Sequence, residues 1–210
     1  MPIPGMTGGD STPIVKYNAK ARLWKVDDVS LNQISFVIDM DNAEAGWSRL
    51  TEGQAPDFKM VRVADLLAGA PYPEAPEARD ADGKLLYRKG FRVQVKLGDK
   101  LAAGKASVRE SASNSFVTKK GFDALFDAWD AERAANAGKV PVVACKGYEE
   151  IEGQFGSNFS PIFQISRWVD RPADLSPKSN GTAPTAQAAT AEPAIDLGDA
   201  DDLDDDIPFA

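Results

Sequence analysis

Apolar and polar side chains alternate near the start of the chain. Val15, Tyr17, Ala19, Ala21 and Leu23 share one parity; Lys16, Asn18, Lys20, Arg22 and Trp24 share the other. A period of two sustained over this stretch predicts one long, half-buried strand with a basic outer face that carries a tryptophan. After the acidic turn Asp27-Asp28, the pattern predicts a second strand over 34–40, with Ile34, Phe36, Ile38 and Met40 inward. A third strand is expected beyond Gly90, with Phe91, Val93, Val95 and Leu97 inside and Arg92, Gln94 and Lys96 outside. The spacing then changes. Phe122, Leu125, Phe126, Trp129 and Arg133 recur at three and four residues, which predicts an amphipathic helix over 119–136, stopped by Gly138. Its aromatic stripe reads as a core plug. Strands four and five are expected over 140–151 and 162–169, joined by the loop 152–160, in which Phe155 and Phe159 sit among glycines and polar residues.

Between these elements the periodicity fails. Residues 41–89 read as an irregular insertion with Trp47 and Tyr72 as anchors or ligand contacts, and 58–67 as a short strand or helical turn within it. Prolines 71 to 76 exclude a central strand there. Residues 98–118 are rich in Gly, Ala, Ser and Lys and read as a mobile loop. Residues 1–12 read as a disordered N-terminus, 172–200 as a flexible linker and 201–210 as a separate acidic tip. Strand, strand, strand, helix, strand, strand is the order of an OB-fold, a five-stranded, partly open barrel capped by a helix. The predicted class is therefore mainly β: an OB-fold domain over 13–171 with an insertion at 41–89, followed by a disordered acidic C-terminal tail.

Charge sharpens this division. The net charge of −8 is concentrated at one end. From Pro172 onward Lys178 is the lone base, so the preceding residues are electrically neutral overall. An acidic average thus does not exclude binding of nucleic acid by the body. Cys145 is the single cysteine and there is no histidine. Internal disulfides, thiolate metal clusters, Cys-His pairs and histidine-dependent triads are excluded. The stretch from Gly98 to Ala106 resembles a phosphate-binding loop, but five residues separate its glycines and Ala106 stands where a magnesium-holding hydroxyl is needed. Asp39-Met40-Asp41 reads as a strand end rather than a metal site. The expectation is a non-enzymatic protein with no cofactor and no metal. With no basic and apolar leader and no long apolar span, it is expected in the cytoplasm and off the membrane.

The last residues carry the most specific signal. Asp204, Asp205, Asp206, Ile207, Pro208 and Phe209 form a run of carboxylates closed by an apolar hook. This DDDIPF tip resembles the C-terminus of bacterial and phage single-stranded-DNA-binding proteins, the phage or prophage type being the closer comparison. In that family the Phe is usually last, whereas Ala210 follows it here. The resemblance implies a sequence-nonspecific binder of single-stranded DNA. It further implies that the six tip residues recruit replication, recombination or repair proteins. Such binders need cations that meet phosphates and aromatic faces on which bases stack. The residues expected to do this are Lys16, Lys20, Arg22 and Trp24 on the first strand, Arg92 and Lys96 on the third, and Phe155 and Phe159 in the loop. The alternative is a non-catalytic adaptor whose OB-like domain binds protein and whose acidic tail mimics DNA. A homo-oligomer is compatible with either.

Overall fold

The computed structural model describes residues 12–51, 54–154 and 156–175. The chain is mainly β, a curled open sheet with one long helix. In chain order the elements are β1 (Ile14–Asn18), β2 (Leu23–Val26), β3 (Val29–Leu31), β4 (Ser35–Ile38), β5 (Glu44–Arg49), β6 (Asp57–Arg62) and α1 (Val63–Leu67). They continue with β7 (Arg88–Leu97), α2 (Asp99–Ala102), β8 (Val108–Ser113), α3 (Phe116–Arg133), β9 (Lys139–Gly153) and β10 (Gly156–Asp170). The sheet runs β10-β9-β4-β7-β8-β1-β2-β3, with the β5–β6 hairpin attached to β7 beside β4. β1 lies parallel to β8, and all other pairs are antiparallel.

The core lies on one face of this sheet. Phe36, Ile38, Val93, Val95, Leu97, Val143 and Cys145 meet Phe122, Leu125 and Trp129 of α3 there. The helix occupies the expected region three residues early, and Gly138 follows it in the left-handed region at φ 77°. Gly121 lets the helix sit directly on β10, since a Cβ there would lie 2.4 Å from the Pro161 carbonyl oxygen.

Several expectations are corrected. The first strand is a hairpin: the turn 19–22 breaks the alternation, and Arg22 turns the chain at φ 56°. The turn resets the parity, so Val15 and Trp24 face the core together. Tyr17 is directly opposite Trp24, with ring centroids 4.6 Å apart. Residues 41–89 are not irregular throughout, because β5, β6 and α1 form within them. There Trp47 Nε1 donates to the Pro73 carbonyl and Tyr72 Oη to that of Gly46, so both aromatics pin the proline-rich coil to the hairpin. Residues 98–118 contain α2 and β8 rather than a loop. The loop 152–160 is the tip of a long hairpin, and Phe159 stands in β10 opposite Glu150. Packing also continues past residue 171. Leu175 is fully buried, and Arg171 joins Asp39 at 2.6 Å and Asp41 at 2.5 Å. Asp39-Met40-Asp41 is therefore an ion-pairing corner. The calls on residues 1–11, Phe155, the linker from 176 onward and the tip lie outside the described residues. No helix among the described residues is long and apolar enough to cross a membrane.

Candidate nucleic-acid interface

The face of β7 turned away from the core is set by its even-numbered positions. Val93, Val95 and Leu97 are buried, which leaves Arg88, Arg92, Gln94 and Lys96 on the other side. Arg92 and Lys96 are thus brought to one face, as the alternation predicts, but neither stands alone. Arg92 donates to Glu44 at 2.6 Å and lies 4.8 Å from the Phe58 ring centroid. Lys96 meets both carboxylate oxygens of Asp174 at 2.7 Å. This ammonium holds the Asp174 carboxyl below its ordinary range, with Lys96 hydrogen bonding the largest cause. The arrangement places two cations on one strand, each shared with a carboxylate.

The β1–β2 hairpin supplies a second group. Lys16, Lys20, Arg22 and Lys25 are exposed, and the hairpin contains no acidic residue. The Arg22 guanidinium lies 4.6 Å from the Phe159 ring centroid, and Phe159 is half-buried. Two backbone contacts hold that strand in place: Tyr17 Oη donates to the Phe159 carbonyl at 2.6 Å and Phe159 N–H donates to the Ala19 carbonyl at 3.1 Å. Burial pushes the Tyr17 hydroxyl well above its ordinary value and that of Tyr148 to about 12, so both stay neutral and donate hydrogen bonds. Trp24 is no part of this surface. It is fully buried against Tyr17, Phe36 and Phe163, and the stacking role expected of it is corrected.

Two residues escaped the sequence reading. Phe58 lies under Arg92 because β6 pairs with β5 beside β7, a long-range pairing that no local pattern announces. Lys25 stands directly opposite Lys16 in the ladder, and only the position of the turn could have revealed this. Among the described residues no group of three His, Cys, Asp or Glu side chains could hold a metal ion. The cleft between α1 and α3, where exposed Leu67 lies beside Phe126, includes none of the residues expected to bind DNA. No protein-family model, curated protein or solved structure matches the chain.

Proposed function

We propose that the protein binds single-stranded DNA without sequence preference on the outer face of β7 and the surfaces beside it. The observation that carries this reading is the line Arg88, Arg92 and Lys96 at four-residue spacing on one face, with Phe58 beneath Arg92. Arginine and lysine meet phosphates, while aromatic rings accept bases of any identity. The connectivity supports an OB-fold as the frame. β4, β7 and β8 precede α3, β9 and β10 follow it, and β9 pairs back on β4. In such barrels ligands lie over the second and third strands, flanked by the first-to-second and fourth-to-fifth connections. Here those are β7 and β8, the segment containing β5–β6, and the β9–β10 hairpin. The N-terminal hairpin is then an addition to the barrel, placed beside its third strand by the β1–β8 pairing. Lys20 and Arg22 form its contribution to the surface, with Phe159 of β10 against Arg22.

The tip resemblance supplies the second half of the reading. Residues 204–209 recruit replication, recombination or repair proteins, while the body holds the DNA. The deciding experiment is a gel shift with oligo-dT and with duplex of equal length. Salt-sensitive binding to the single strand alone supports the proposal. Equal binding to both, or to neither, overturns it, and protein capture by the body without DNA binding selects the adaptor. For the tip, Phe209→Ala is expected to abolish partner pull-down and leave DNA affinity unchanged.

A further inference from the structure

The two-stranded β1–β2 ladder contains a like-charge pair. Lys16 and Lys25 are directly opposite each other, both are exposed, and neither has an ion-pair partner among the described residues. Opposed residues of an antiparallel pair have Cβ atoms about 5 Å apart, and like charges there destabilise the ladder. An anion between the two ammonium groups would relieve that repulsion.

The register shows where that place lies relative to β7. Glu44 is opposite Arg92, Arg92 is opposite Ala112, and β1 runs parallel to β8 with Val15 beside Ser111. One residue further along β1, Lys16 falls beside Ala112, and Lys25 follows on the next strand. Arg92, Lys16 and Lys25 therefore occupy one row that crosses the strands. Neighbouring strands are about 4.8 Å apart, so the row spans about 14 Å from β7 to β2. Lys20 and Arg22 stand off this row, in the hairpin turn beyond the Asn18–Leu23 pair.

We infer that Lys16 and Lys25 close on one backbone phosphate of a single strand that leaves β7 and crosses β8 onto the N-terminal hairpin. This rests on the DNA-binding reading above and gives the strand its direction where it leaves β7: across the ladder at Arg92. Phosphate between the two ammonium groups turns a repulsive pair into a bridged one. The same lysines thus weaken the free protein and strengthen the complex, a combination that plain surface lysines do not produce.

The test is the full chain with Lys16→Gln and Lys25→Gln together, measured for oligo-dT affinity across a salt series and for thermal midpoint. The control is Lys100→Gln with Lys139→Gln, two exposed lysines outside the row and outside the β5–β6 segment. The expected result is at least about fivefold weaker binding at about 50 mM salt and a log–log salt slope shallower by about 0.7, the share of one single-strand phosphate contact. The midpoint should stay level or rise. Wild-type affinity and slope in the glutamine variant overturn the crossing path while leaving the DNA-binding reading intact. A fall in midpoint alongside the affinity loss also overturns it, because the lysines then serve the fold. Absence of oligo-dT binding by the unaltered chain removes both proposals.

Discussion

Removing the Arg171 side chain tests the corner that fastens the C-terminal end of the body. Asp39 is fully buried; its Oδ2 accepts from Arg171 and, at 2.8 Å, from Asn42 Nδ2, while its Oδ1 has no partner among the described residues. Arg171→Ala therefore leaves a buried carboxylate with one amide for company. Breaking a buried pair by deleting one partner costs about 3–5 kcal/mol. The Arg171 side chain is 27% exposed, so water can reach part of the vacated space, and the lower figure applies. A loss of about 3 kcal/mol in a domain of this size lowers the thermal midpoint by about 6–12 °C. Urea denaturation followed by tryptophan fluorescence measures it, since Trp24 and Trp129 are both buried. Adding Asp39→Asn should recover a good part of the loss, because the orphaned charge is then gone. Stability of Arg171→Ala within about 0.5 kcal/mol of wild type, the range of ordinary surface substitutions, refutes the reasoning.

Trp24→Ala should destabilise by about 3–5 kcal/mol, the usual cost of truncating a buried aromatic, while Trp24→Phe keeps oligo-dT affinity. A folded Trp24→Phe that binds poorly returns Trp24 to the interface. Asp174→Asn frees Lys96 and should strengthen oligo-dT binding by up to about fivefold at low salt, the range of an exposed ion pair; unchanged affinity in a salt titration means that Lys96 meets no phosphate. Tyr87 donates a short hydrogen bond to Asp57, which lowers the Asp57 pKa and raises that of Tyr87. The stabilisation is thus present above the ordinary carboxyl value of 3.8 and below the ordinary phenol value of 10.0. It is lost as pH falls through the lowered Asp57 pKa or rises through the raised Tyr87 pKa. Tyr87→Phe should cost about 1 kcal/mol near pH 7 and progressively less beyond either limit, read from denaturation across pH.

What could be read in the sequence depended on whether a strand buried apolar side chains at a constant parity. β7 does, with Val93, Val95 and Leu97 inward, and α3 does so at helical spacing, whereas β9 buries residues 140–143 in an unbroken run and β10 shifts register at Ile162/Phe163. β8 does not. Arg109 and Ser111 face the core side and Glu110 is also buried, so a strand interior is written in polar letters. Arg109 is tolerated because Asp27 meets it at 3.0 Å, and Asp27 comes from a turn far away in sequence. The basic face was half legible. Arg92 and Lys96 follow from the period of two, but Trp24 was placed on the wrong side because the turn 19–22 shifts the phase, as a one-residue slip always does in a strand. Phe58 and Lys25 joined the surface through pairings that only the folded sheet defines.

The parallel seam between β1 and β8 has a consequence for synthesis. Val15 pairs with Ser111, so the β1–β2 hairpin waits for nearly a hundred residues of synthesis before its neighbour exists. At about 5–20 residues per second that wait lasts several seconds, with one edge of β1 open throughout. An open edge invites pairing with other nascent chains, and lysines along it are a common guard. Lys16, Lys20, Arg22 and Lys25, with no acid among them, give two such hairpins like charges that disfavour their pairing before β8 is made.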